Sequence, residues 1–177
     1  MKKILFFIFA LFLYANAKAQ DNPSYVSAMT FFQYETESKA LDLKLSLEYG
    51  KFLGEKTSVG MTLKYILQKD VQNVVMFEPY YRKYFVKGER AGIFGDGVVG
   101  VNLTFPKDGD AACGFKVGFG PGFDVQLTDK LYFIGKLGFI GYNQPGAFDS
   151  KKYVRVAFLS LSKDDLDMMS FGIRYTF

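Results

Sequence analysis

The side chains of this chain that could do chemistry are ionisable groups placed at every second residue. Asp42, Lys44 and Glu48 alternate with leucines, and Lys64 sits in a similar run. Glu78 and Arg82, then Asp96, Lys116, Asp124, Lys136 and Arg174 continue the pattern to the end of the chain. A repeat of two is the side-chain period of a β-strand, so these groups share the polar faces of strands. Five acids stand against six bases on those faces. A set so nearly balanced can be buried as ion pairs, whereas unpaired charges would have to stay in water. Folding the hairpins about their turns brings Lys64 near Glu78 and Arg82 near Asp96. The alternative for the same residues is an ordinary solvated sheet face.

Other catalytic chemistry is limited by composition. The chain of 177 residues contains no His, which removes Ser-His-Asp and Cys-His catalysis, imidazole metal sites and histidine switching. Its single cysteine, Cys113, rules out an internal disulfide framework or a cysteine-rich zinc site. Asp108-Gly109-Asp110 and the group Asp164, Asp165 and Asp167 offer clustered oxygen atoms but lack the rest of a calcium loop. They are read as solvated acidic turns. Gly118-Phe119-Gly120-Pro121-Gly122 continues a strand instead of opening a helix, so it is not a phosphate loop. No cofactor is implied.

The elements that position these groups are strands throughout. Leu41 to Tyr49, Val59 to Leu67, Asn73 to Phe85, Ile93 to Phe105, Phe115 to Leu127, Leu131 to Phe139 and Met169 to Phe177 all alternate apolar with polar or small residues. Tyr25 to Tyr34 supplies a first strand whose facing the pattern does not assign, which makes eight. Tight polar turns fall at Gly54 to Lys56, Lys87 to Arg90 and Thr128 to Lys130. The intervening connections read as longer, the asymmetry of an outer-membrane barrel with short periplasmic turns.

Volume decides which face is inside. Strands two to eight carry 36 large apolar side chains on one face. The interior of an eight-stranded TIM barrel holds roughly twelve side chains. The apolar set must therefore point outward, with the charged set around the axis, unless two sheets pack as a sandwich. Gly114, Gly118, Gly120 and Gly122 lie on the polar face, where they would make room for long side chains crossing a narrow lumen. Tyr49, Phe52, Tyr84, Phe85, Phe133, Tyr175 and Phe177 are expected to form an aromatic girdle at the short-turn rim. Tyr65, Phe105, Phe115 and Phe139 would form one at the other.

The N-terminus has its own logic. Lys2 and Lys3 precede the apolar stretch Ile4 to Tyr14, and Ala17-Lys18-Ala19 is a small-x-small cleavage pattern. This reads as a signal peptide over 1–19, followed by one barrel domain over 20–177. The stretch is too short for a spanning helix, which takes roughly 20 residues. Cleavage removes three of the 22 basic side chains against 18 acidic ones, and the net charge falls from +4 to +1. Nucleic-acid binding loses its electrostatic support.

Four stretches together resemble the small outer-membrane β-barrel proteins of Gram-negative bacteria, of the OmpX/OmpA-like type. They are LSLEYGKFLGEKTSVGMTLKY, FEPYYRKYF followed by GIFGDGVVGV, GFGPGFDVQLTDKLYFIGKLGFIGY, and the closing SFGIRYTF. The likeness covers about Leu41 to Phe177. It implies an all-β fold, an eight-stranded antiparallel up-and-down transmembrane barrel, monomeric, with both termini in the periplasm. It also implies that Tyr175 and Phe177 match the terminal signal read by the barrel-assembly machinery. Outer-membrane lipid and lipopolysaccharide are the implied surroundings, with Lys151, Lys152 and Arg155 candidates for phosphate contacts. The lipid A acyltransferases and deacylases of this membrane rely on His with Ser, a route closed here. The expected role is structural or surface-interacting, without catalysis. A narrow solute channel and a secreted soluble barrel for a lipophilic ligand are the alternatives.

Overall fold

The computed structural model describes residues 22–35, 40–68, 72–107, 109–144, 153–158 and 169–177, with strand placement alone for 32–35, 40–42 and 153–158. The leader expected over 1–19, and Asp108, Lys151, Lys152, Asp164, Asp165 and Asp167, lie outside the described residues.

The strands are β1 (Ser24–Glu35), β2 (Ala40–Gly54), β3 (Thr57–Gln68), β4 (Gln72–Lys87) and β5 (Ala91–Pro106). β6 (Ala112–Gln126), β7 (Leu131–Gln144), β8 (Tyr153–Phe158) and β9 (Met169–Thr176) follow. Each strand from β1 to β7 pairs antiparallel with the next. β9 then pairs with both β7 and β1, from Tyr25↔Thr176 to Thr30↔Phe171, and closes the cylinder. The expected single eighth strand is two segments. Phe158 of β8 faces Gly138 while Met169 of β9 faces the adjacent Leu137, so β8 and β9 share one stave with 159–168 between them in sequence. The result is an eight-stranded up-and-down barrel, in which sheet edges are removed by closure.

The alternating pattern builds this cylinder inside out relative to a water-soluble core. Arg82, Lys44, Glu48 and Asp96 are fully buried around the axis, while Leu45, Leu47, Leu63, Phe77, Val99 and Val101 are exposed on the outside. The contrast is complete along β2, where Leu47 is 63% exposed and its neighbour Glu48 only 2%. β1, whose facing the pattern left open, turns Tyr25, Ser27 and Met29 inward. The interior apolar clusters are small: Tyr25, Phe52, Tyr84, Phe94 and their neighbours toward the short turns, and Ile66, Val74 and Met76 with Phe31 toward the other end.

Three expectations are corrected. Alternation puts Phe139 on the outer face, but it is buried at 2% and Ile140 is the exposed one at 47%. Between the pairs Phe119↔Ile140 and Gly122↔Lys136, β7 carries one residue more than β6, and that bulge reverses the facing of everything beyond it. Phe52 and Tyr84 do not join the girdle. They share the inward phase of Glu48 and Arg82 and roof the interior near the short turns. The outer face at that rim carries Phe85, Tyr175 and Phe177 instead, with Val86 joining Phe85 because of a bulge at Tyr84/Val86. Finally, connections 36–39 and 69–71 are as short as the polar turns, since the pairs Glu35↔Ala40 and Gln68↔Gln72 extend their hairpins through polar residues. Of the connections between staves, only 107–111 and 145–152 are longer.

Candidate functional site: the ionic lumen

Inward-facing positions of neighbouring strands stack the charges into three layers along the axis. In the middle layer, the Arg82 guanidinium grips Asp96 twice, Nε donating to Oδ1 at 2.7 Å and Nη2 to Oδ2 at 2.8 Å. Nη2 also reaches Glu48 Oε1 at 3.1 Å. Lys136 completes the layer, with Nζ 2.6 Å from Glu48 Oε2 and 3.1 Å from Asp96 Oδ2. Two carboxylates and two cations thus form a closed ring of four charges, and the bidentate fork fixes its geometry. Thr62 and Ser27 hydroxyls donate to Glu48 from the neighbouring strands.

Toward the longer connections, Glu78 bridges two lysines: Oε2 is 2.5 Å from Lys64 Nζ and Oε1 is 3.2 Å from Lys116 Nζ. Lys116 also lies 4.4 Å from the centroid of the inward-turned Phe139 ring. Lys44 donates to the Met169 carbonyl at 2.6 Å, tying β2 to β9 across the closure. Toward the short turns, Arg174 Nη1 donates to Asp124 Oδ2 at 2.8 Å and to the Tyr84 hydroxyl at 2.7 Å. Tyr84 in turn donates to the same Asp124 oxygen at 2.6 Å.

Aromatic rings and hydroxyls fill the space between layers. The Arg82 guanidinium lies over Phe94, with Tyr80 and Tyr25 at its flanks. Tyr25 and Tyr80 join hydroxyls at 2.8 Å, and Tyr25 also meets Ser58 at 2.9 Å. These rings fit only because glycines face them. A Cβ on Gly50 or Gly60 would run into Tyr25 or Tyr80, one on Gly122 into Phe94, and one on Gly118 into Phe139. Glycine here serves close approach, so of the four polar-face glycines of β6, Gly118 and Gly122 make room for crossing side chains, while a Cβ on Gly120 would meet only the Gly138 carbonyl.

Every anticipated lumen residue whose side chain is described faces the axis: Lys44, Glu48, Lys64, Glu78, Arg82, Asp96, Lys116, Asp124, Lys136 and Arg174. The side chain of Asp42 lies outside the described residues. Both pairs anticipated from hairpin register, Lys64 with Glu78 and Arg82 with Asp96, are in contact. Hairpin register could not reveal the pairs between distant strands, Arg82 with Glu48, Lys136 with Glu48 and Asp96, or Arg174 with Asp124. Those depend on closure across the lumen. Tyr175 and Phe177 stand on the outer surface with ring centroids 6.1 Å apart, and the Phe177 backbone pairs with Ser24.

Chemically, this arrangement crosslinks staves. Each described lumen carboxylate holds at least one cation, and most hold two from different strands. In a dry environment such networks are costly to break, since removing one member strands its partners. Compared with known proteins, the chain matches no protein-family model and none of the curated proteins.

Proposed function

We propose that this protein is an integral outer-membrane β-barrel of the small OmpX/OmpA-like type. Its lumen is sealed by side chains, and its role is structural or surface-interacting instead of catalytic. One observation carries the reading: large apolar side chains cover the outside of a cylinder whose axis is ionic. Soluble monomers rarely expose contiguous apolar patches beyond a few hundred Å². A band of large apolar side chains on the outer faces of β2 to β7 and of β9 suits lipid as the surrounding solvent. Backbone polar groups are satisfied by strand pairing around the closed sheet, as a spanning structure requires.

On this reading the leader is cleaved near Ala19, and the short turns and both termini face the periplasm. Tyr175 and Phe177 serve as the signal for the assembly machinery, and the protein works as a monomer among outer-membrane lipid and lipopolysaccharide. Bilayer conductance tests the seal, because the ring of Arg82, Glu48, Asp96 and Lys136 occupies the path a solute would take. Membrane residence is tested by fractionation. The protein should resist carbonate extraction, require detergent, and run faster on a denaturing gel before boiling than after. Release by salt or carbonate would point to a secreted soluble barrel, and sustained unitary currents to a channel.

A further inference from the structure

We infer that the short-turn mouth of the barrel is a binding site for a small organic oxyanion with an apolar body. A cavity of about 460 Å³ opens there, within the range of small-molecule sites. Phe52, Tyr84 and Tyr132 line it together with Lys87, Arg174 and Thr176.

The floor of this cavity has polar capacity that the protein leaves unused. Arg174 is 98% buried, being only 2% exposed, and its Nη1 is engaged by Asp124 and Tyr84. Its Nε has no hydrogen-bond partner among the described residues, and neither does the buried Oγ1 of Thr176 two residues on. Both residues line the cavity. An unmet buried donor on a guanidinium is expensive unless something occupies the site. An N–H and a hydroxyl two residues apart on one face of β9 suit the oxygens of a carboxylate or phosphate group.

The ionisable groups of the lining balance, Lys87, Arg90 and Arg174 against Glu55, Glu89 and Asp124, so the placement of the cations, and not net charge, selects the ligand. Lys87 Nζ sits 5.1 Å from the Phe52 centroid and 5.5 Å from that of Tyr84, and the Arg174 guanidinium lies 4.5 Å from Tyr132. The rings hold these cations in place, Arg174 paired with Asp124 and Lys87 donating to the Glu55 backbone carbonyl. The mouth does contain acids. Asp124 is already occupied by Arg174 and Tyr84, while Glu55 and Glu89 are exposed on the rim. The cavity is far larger than an inorganic anion, and its aromatic walls account for the rest of the ligand. The inference needs the fold and this mouth, and it stands apart from the membrane reading.

The test is calorimetric titration of the purified full chain, in detergent micelles or, should it prove soluble, in buffer. The probes are phenyl phosphate, inorganic phosphate and phenol. Saturable binding of phenyl phosphate, tighter than that of the other two, is expected. Arg174→Lys keeps the charge but lacks Nε, and should weaken phenyl phosphate binding about tenfold, the scale of one charge-assisted hydrogen bond. Thr176→Val leaves the Asp124 pair intact and should weaken it severalfold. No saturable binding at millimolar phenyl phosphate would overturn the inference, as would phenol binding equally well. Undiminished binding by Thr176→Val would overturn it too, and that variant decides the matter should Arg174→Lys not fold.

Discussion

The guanidinium carbon of Arg82 sits 3.9 Å from the centroid of the Phe94 ring, both side chains inaccessible to solvent. Residues two apart on β5 thus divide the task of holding one cation: Phe94 supports its face and Asp96 takes its edge. An arginine can serve here where a lysine could not, because only a planar fork stacks and binds bidentately at once. Arg82→Gln should strand Glu48 and Asp96 beside a single remaining cation, Lys136. Loss of one member of a buried ionic set costs about 3–5 kcal/mol. Urea unfolding of the refolded protein, followed by circular dichroism and by the mobility of unboiled samples, would measure it. A loss below about 1 kcal/mol, the scale of a surface pair, would show that the ring does not hold the staves together.

Glu78 and Lys64 make an asymmetric pair, because Glu78 also holds Lys116. Lys64→Met leaves the carboxylate with one cation and removes the other, so the loss should be about 1–3 kcal/mol. Glu78→Gln instead leaves two lysine ammonium groups facing each other without their common partner, and should cost more, about 3–5 kcal/mol. The ranking is the decisive measurement. Equal losses from the two variants, in parallel urea titrations, would mean that Lys116 does not share the carboxylate.

Gly122 sets the depth at which Phe94 can lie. A Cβ there would come within 2.5 Å of the ring, so Gly122→Ala must push Phe94 away from Arg82. Overpacking of this kind costs about 1–3 kcal/mol. Phe94→Leu in the same chain should recover part of that loss, since a smaller side chain vacates the space the new methyl needs. A double variant no more stable than Gly122→Ala would indicate that the damage comes from the Gly135 carbonyl of β7, 2.8 Å from the same Cβ, and not from the ring.

How much of this was legible beforehand follows from what a period of two encodes. Strand identity and facing are local, so Leu47 outward and Glu48 inward could be read from adjacent letters. Neighbouring register is nearly local, which is why Lys64 with Glu78 and Arg82 with Asp96 could be paired through one turn. A bulge is invisible to periodicity, however, and a single extra residue in β7 carried Phe139 from the expected rim to the lumen. The contacts of Lys136 with Glu48 and of Arg174 with Asp124 join strands far apart in sequence and exist only once the sheet closes. The inward ring of Tyr25 was hidden because β1 mixes small, polar and aromatic residues on both faces. That ring nonetheless sits at the centre of the short-turn cluster.

Leu47 tests the medium around the barrel directly. It is the middle residue of β2, faces away from the lumen, and pairs with Ala28 and Leu63 on the flanking strands. An arginine at this position would touch no lumen group. If the outer face meets hydrocarbon, Leu47→Arg should lower stability by about 2–4 kcal/mol, the depth-dependent cost of a cation at the bilayer midplane. Leu53, also exposed but next to the β2–β3 turn, should tolerate arginine at a cost of about 0–1 kcal/mol, because a side chain there reaches the interface. Were the barrel bathed in water, both substitutions would fall within about 0.5 kcal/mol of neutral. The comparison is made by urea titration of both variants in phospholipid vesicles. Equal tolerance at Leu47 and Leu53 would remove lipid as the solvent of the outer face.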